Sequence, residues 1–401
     1  MTTPRMIAVA VIAAIVYFFS NPKPQFYYDY TFRVAGQFLN GSLGLNEQPP
    51  SWLNEFVPFE GAWYSVFPLG SVLTMIPAAL LKAAGVLQDM PAALIAALLA
   101  VGIMFLLLKI GSRYELPTDR VVLTALGTVF GTWTWTNLTF GGAWQLALGF
   151  AMLGELGAIY FTVYDKRPLL AGAFFALGFG NRTEVLLTAP VLMFLLARDA
   201  EKGESPMILA GTVPAFRRVA WFCLVPFVLG VATLWYNYER FGSPLDFGYA
   251  RIPGVLEEPW YEHGIFSIRY IPAQAWEMLW KPWEFKRTFP YVMPNPFSSS
   301  ILWSSPFILF ALRFGARDKV LRYAAWIAIA LMTFLLWMHG NSGGWQFGYR
   351  YWMVCLPWLF VIMLENAPKT ISPLEWAAYF LSFAANAYAT WLFKWTNYLK
   401  P

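Results

Sequence analysis

The chain has 401 residues, of which 58% are hydrophobic and 13% charged, with a formal net charge of +5. Soluble domains carry about 25% charged residues, so this composition argues against a soluble fold and predicts an integral membrane protein, with many of its 20 Trp, 20 Tyr and 35 Phe at the interfaces. The modest charge, with no basic run beyond Arg217-Arg218, argues against nucleic acid as a partner; two Cys in apolar runs predict no disulfide framework, and two His are too few for a His-based metal site.

Residues 6–20 form the first apolar run, after Arg5. Its exit, Phe18-Phe19-Ser20-Asn21-Pro22-Lys23, lacks a small-x-small cleavage pattern and predicts an uncleaved span. The polar, aromatic segment Gln25-Phe26-Tyr27-Tyr28-Asp29-Tyr30 follows, then an apolar stripe at Phe32, Ala35 and Phe38/Leu39. That spacing predicts an amphipathic helix lying along the membrane. Asp29 at its start reads either as an N-cap or as a working carboxylate, since a charge held at a membrane is costly unless paired or used.

Further apolar runs fall at about 67–87, 91–110, 121–138, 143–164, 168–180, 184–197, 218–236, 299–314, 321–338, 351–365 and 372–395. Each is measured against ~20 residues for ~30 Å of hydrocarbon. If every run crosses from an internal N-terminus, Lys109, Arg113, Arg120, Arg198, Lys202, Arg217 and Arg218 fall outside, against the positive-inside rule. If 67–87 dips into the outer leaflet without crossing, those residues, Lys166/Arg167 and Arg313/Arg317/Lys319/Arg322 all become cytoplasmic. Pro68, Gly70 and Pro77 suit such an interrupted helix. The expectation is a single all-α transmembrane domain over 1–401 with about eleven spans. Two large external loops, 21–90 and 238–298, carry amphipathic helices, one of them in the second half of 266–280.

Arg182 follows Gly178-Phe179-Gly180-Asn181, a break between two short helices. Backbone broken at that depth is tolerated where it lines a cavity, and an Arg there matches phosphate through its rigid fork. Arg350 begins a span after Gly348-Tyr349 and reads the same way. Simple interface anchoring is the alternative for both. Glu60 reads as a sugar ligand, a support for Asp29, or a solvated loop acid. Glu47 and Glu55 read as solvated, and His339 as a loop residue.

Three ordered segments carry a resemblance. They are Tyr28-Asp29-x-x-x-Arg33-x-Ala35-x-x-Phe38-Leu39-Asn40-Gly41 with Phe59-Glu60-Gly61-x-Trp63-Tyr64-Ser65-x-Phe67-Pro68-Leu69-Gly70; Trp235-Tyr236-Asn237-Tyr238-x-Arg240-Phe241-Gly242-Ser243-Pro244 with Phe247-Gly248-Tyr249; and Gly344-Trp345-x-Phe347-Gly348-Tyr349-Arg350-Tyr351. From about 5 to 365 the chain resembles the GT-C superfamily of membrane glycosyltransferases, which includes protein O-mannosyltransferases, aminoarabinose transferases and oligosaccharyltransferases. The resemblance implies inverting transfer of a sugar from a polyprenyl-phosphate donor to a glycan, lipid or protein hydroxyl at the external face of a bacterial inner membrane, with the N-terminus cytoplasmic. It implies Asp29 as general base, Arg182 and Arg350 on the donor phosphate, and Glu60, Trp63, Tyr64, Asn137 and Tyr249 around the substrates. The turn Thr134–Gly142 lacks the second acidic motif of oligosaccharyltransferase-like members, which puts a divalent metal in doubt, and no cofactor is expected. A transporter or flippase of lipid-linked saccharides is the rival reading.

Overall fold

The computed structural model describes residues 1–22, 28–198 and 213–399, without the side chains of Val213 and Pro214. Gln25, Phe26 and Tyr27 of the polar, aromatic segment, and Lys202, lie outside the described residues. The molecule is 66% helix and 4% strand.

The first run forms α1, Thr3–Phe19. Asp29 immediately precedes α2, Tyr30–Leu39, which buries Tyr30, Phe32, Val34 and Ala35. A hairpin of β1 (Phe56–Phe59) and β2 (Ala62–Ser65) follows, with Phe56 opposite Ser65. Its turn residues Glu60 and Gly61 both have positive φ, 47° and 84°, the backbone that a tight two-residue hairpin demands. With a second, two-residue pairing of Glu284–Phe285 and Val292–Met293, the all-α expectation is corrected to mostly helical with two small hairpins. The 67–87 run is α3 (Leu69–Leu73) and α4 (Ile76–Ala83), broken at Thr74 and Met75, with Pro77 in the first turn of α4, where its missing N–H costs nothing.

The body comprises α5 (Ala92–Gly111), α6 (Thr118–Phe130), α7 (Thr134–Phe140), α8 (Ala143–Ile159), α9 (Pro168–Asn181), α10 (Ala189–Ala197), α11 (Val213–Phe241), α12 (Ile271–Leu279), α13 (Ile301–Ser304), α14 (Lys319–Met338), α15 (Leu356–Glu365) and α16 (Pro373–Trp395). Among the described residues four segments are long and apolar enough to cross a membrane: Ala92–Gly111, Ala143–Tyr164, Ala215–Phe241 and Lys319–Met338. This corrects the expectation of about eleven. The other runs are short or broken. The 121–138 run divides between α6 and α7, the 184–197 run opens as a 3₁₀ turn at Thr183–Thr188, and the 299–314 run is α13 plus a 3₁₀ stretch, Pro306–Leu312. The 351–365 run likewise begins as 3₁₀, Arg350–Cys355, before α15.

Charge marks one end of the bundle. Arg120, at the start of α6, pairs with Glu375 at the start of α16, and Arg313 reaches the same carboxylate at 2.7 Å. Arg198, after α10, meets Asp318 at the start of α14 at 2.7 Å. Tyr114, after α5, donates to Glu365 at the end of α15 at 2.8 Å. Toward the opposite end of the bundle, residues including Trp144 at the start of α8, His339 after α14 and Trp395 of α16 line a cavity. About 30 Å separates the two ends, since α14 has 20 residues at ~1.5 Å each. Pro22, after α1, lies at the cavity end. Ala92, which opens α5, packs on Gly141 beside the cavity-lining Phe140. The chain therefore leaves α1 and enters α5 at one end, with α3 and α4 between them.

Close backbone approach fixes this end. A Cβ on Gly154 of α8 would collide with Gly178 of α9, and one on Gly70 of α3 would collide with the Gly180 carbonyl. Small residues let helices meet this closely. Gly70→Ala is expected to cost about 1–3 kcal/mol by overpacking, seen as a lowered thermal midpoint in detergent. An unchanged midpoint would show that α3 and α9 have room to part.

Candidate functional site

The cavity encloses about 1490 Å³, more than the ~300–1,000 Å³ of ordinary ligand pockets. Its walls come from the 21–68 loop, the starts of α3 and α8, the end of α9, the loop after α11, and the segments that follow α14 and α16.

Arg182 is held by the break that follows α9. Its backbone is extended, at φ −139° and ψ 103°, which ends the helix. The preceding Asn181 is tied to α3, with Ser71 Oγ donating to its carbonyl at 3.3 Å and Thr74 Oγ1 to its Oδ1 at 3.4 Å. The Arg182 Nε donates to Glu184 at 2.8 Å, so the pairing with Glu184 that sequence neighbours allow is formed. The guanidinium carbon lies 5.0 Å from the Tyr351 ring centre and 5.8 Å from that of Trp144.

Arg350, the residue before Tyr351, lies near the same ring. Its guanidinium carbon is 5.2 Å from the Tyr351 ring centre. The Gln346 side-chain oxygen accepts its backbone N–H at 2.9 Å, and Nη1 makes a long bond of 3.4 Å to the Trp345 carbonyl. Its Nε is buried with no hydrogen-bond partner, and among the described residues no carboxylate pairs with it. Aromatic faces lie near both cations, Glu184 compensates the charge of Arg182, and the unpaired buried N–H of Arg350 costs free energy until an acceptor arrives.

Glu55 is the acid that the sequence reading misplaced. It lines the cavity, half-buried, and accepts a hydrogen bond from Trp144 Nε1. Burial is the main cause that pushes its carboxyl up to about 7; Glu258 adds to the rise, while Trp144 and Arg350 oppose it. The indole is fixed in turn by Phe67, with ring centres 4.1 Å apart. The hint in the sequence is an acid flanked by Leu53 and Phe56, both of which are buried anchors.

Asp29 stands beside the cavity. Its neighbours Tyr28 and Tyr30 are among the lining residues, and Asp29 is not. Its carboxylate accepts from Arg33 Nε at 2.7 Å across one helical turn. Burial raises its carboxyl above the usual range, against the pull of Arg33. Tyr249 lines the cavity, with its hydroxyl 2.9 Å from that of Tyr261. His339, read as a plain loop residue, lines it too. The His339 Nδ1 lies 2.7 Å from the Asn341 carbonyl, and burial lowers its proton affinity.

Four expected substrate contacts lie elsewhere, and packing explains each. Glu60 occupies the exposed hairpin turn, away from the cavity walls. Trp63 exchanges backbone hydrogen bonds with Leu45 at 2.9 Å, and Tyr64 packs edge-on against Phe241 at 5.8 Å. Asn137 is fully buried, bonding the Trp133 and Phe347 carbonyls at 2.8 Å each, which ties α7 to the loop before Arg350.

No family model, curated protein or solved structure matches the chain.

Proposed function

We propose that the protein is a polyprenyl-phosphate-sugar-dependent glycosyltransferase that moves a sugar, with inversion, to an acceptor hydroxyl. The observation that carries this reading is the pair of guanidiniums, Arg182 and Arg350, both beside Tyr351 in one large aromatic cavity, with the Arg350 Nε buried and unpartnered. Such a pair suits the phosphate that departs from the anomeric carbon, because charge-assisted bonds in a low-dielectric site stabilise developing charge. Asp29 is the base in this reading. It must exchange Arg33 for the acceptor hydroxyl and take its proton as the oxygen bonds the anomeric carbon, while the bond from that carbon to the donor's phosphate breaks and the lipid phosphate leaves. The resemblance to GT-C enzymes supplies this chemistry.

The reading sets the body in a bacterial inner membrane, with the N-terminus cytoplasmic and the cavity outside. Exposed apolar side chains support a lipid-facing belt: Phe216, Phe227 and Val228 on α11, Ile327 and Phe334 on α14, and Phe380 on α16. The clustering of Arg113, Arg120, Arg198, Arg313 and Arg317 with their partners at the far end suits a cytoplasmic face. In a chain free of native cysteines, single cysteines at Ser51 and Gln88 are expected to react with an impermeant reagent added outside. Labelling of Gln88→Cys only after permeabilisation would mean that 67–87 crosses.

Purified protein in nanodiscs should bind undecaprenyl phosphate and, given an undecaprenyl-phosphate sugar with an acceptor, release the lipid phosphate. Binding without any acceptor-dependent release across hexosyl and pentosyl donors would favour the flippase reading.

A further inference from the structure

The two chemistries of the cavity are separated by one indole. The Trp144 ring centre is 5.8 Å from the Arg182 guanidinium, and its Nε1–H donates to Glu55. Of the three lining carboxylates, Glu184 is committed to Arg182 and Glu258 accepts from Trp260 Nε1 at 2.7 Å. Glu55 has no cation within ion-pair distance among the described residues. One of its oxygens holds the indole, and the carboxyl borders the open space together with Tyr249 and Asn54. A carboxylate edge beside aromatic faces suits an uncharged polyol, whose hydroxyls donate to the acid while its C–H face lies on the rings. An anionic ligand is repelled there by Glu55 and Glu258 together.

We propose that Glu55 is the acceptor-recognition residue of this cavity, hydrogen-bonding a hydroxyl of an uncharged saccharide that lies against Trp144 and Tyr249. The proposal rests on the glycosyl-transfer reading for the word acceptor, and on the cavity alone for the ligand class. It goes beyond the resemblance, which leaves glycan, lipid and protein acceptors open. Trp144 therefore touches both Glu55 and the Arg182 guanidinium, so a saccharide seated at Glu55 would lie next to the phosphate site.

The groups facing Glu55 are Trp144, Tyr30, Tyr249, Tyr261, Glu258 and, at longer range, Arg350. Burial pushes the Glu55 carboxyl up to about 7. Above that point the ionised carboxylate accepts hydroxyl hydrogens; below it the charge-assisted bond is lost. Saccharide binding should therefore weaken as pH falls through about 7.

The test uses the full chain in nanodiscs and isothermal titration at pH 8 and pH 6. The probes are maltotriose, mannotriose and chitotriose as neutral saccharides, trigalacturonate as an anionic one, and undecaprenyl phosphate. At least one neutral trisaccharide should bind wild type more tightly at pH 8 than at pH 6, and trigalacturonate at least tenfold less tightly. Glu55→Gln should weaken the neutral saccharide at least fivefold at pH 8 and remove the pH dependence, while undecaprenyl phosphate binds as before. Glu55→Asp and thermal midpoints report on folding, and the wild-type pH dependence stands without any variant. No neutral saccharide bound, equal binding of trigalacturonate, or a Glu55→Gln protein with wild-type saccharide affinity would overturn the proposal. Loss of undecaprenyl phosphate binding in wild type would instead overturn the donor reading and leave the saccharide result standing.

Discussion

Asp29→Asn should lower glycosyl transfer by about 10²–10⁴-fold, the range contributed by a positioned general base, while donor binding and expression stay near wild type. The variant keeps the shape of the side chain and loses its ability to take a proton. Its structural cost should be small. The ion pair with Arg33 spans one helical turn at 2.7 Å with the Arg side chain 37% exposed, and such pairs contribute about 0.3–0.5 kcal/mol. Arg33→Gln separates the two roles. If Asp29 serves only to pair, Arg33→Gln should damage activity as much as Asp29→Asn does. If Asp29 is the base, Arg33→Gln should leave turnover within a few fold, since it frees the carboxylate. Turnover above about half of wild type in Asp29→Asn would remove Asp29 from the mechanism. Retained transport of a lipid-linked sugar in a variant with no transfer chemistry to lose would favour the flippase.

Arg350→Ala should weaken undecaprenyl phosphate binding by about 1.5–3 kcal/mol, the scale of a hydrogen bond to a charged group. Arg350→Lys should weaken it as well, because an ammonium cannot reproduce the planar fork. The expectation is sharper here than at Arg182. Arg350 has a buried Nε without a partner, whereas Arg182 is 2.8 Å from Glu184. Arg182→Ala would strand Glu184, whose side chain is 8% exposed, so its loss of binding would be mixed with loss of stability. Thermal midpoints measured beside the titrations separate these effects. Wild-type affinity in both Arg350 variants would move the search for the phosphate site to Arg33 and Arg240. Arg240 is a poorer prospect, since it is fully buried and bonded to the Ser65 carbonyl and to Asn237 Oδ1.

Where the chain would be helical was legible in the residues, because helix formation reads local order. Apolar runs of sufficient length became α5, α8, α11 and α14, and the 67–87 run broke as expected, at Thr74 and Met75; the expected break at Gly178–Asn181 is instead the last turn of α9, which ends before Arg182. The placement of Arg182 and Arg350 at helix breaks followed from the same local pattern, and both line the cavity. Span number was overestimated because hydrophobicity alone does not distinguish a crossing helix from a short buried one. The 3₁₀ openings at Thr183 and Arg350 shorten the α-helical segments behind them. The cavity's acids were decided by tertiary structure. Glu55 and Glu60 lie five residues apart in one loop and look alike in sequence. The hairpin turns Glu60 outward, while Leu53 and Phe56, buried on either side, draw Glu55 in beneath Trp144. Asn137 was likewise indistinguishable from a ligand until its two carbonyl partners, Trp133 and Phe347, were in place. Side-chain direction in a loop depends on contacts with residues far away in the sequence, 89 positions for Glu55 and Trp144 and 210 for Asn137 and Phe347, and no period in the sequence encodes those contacts.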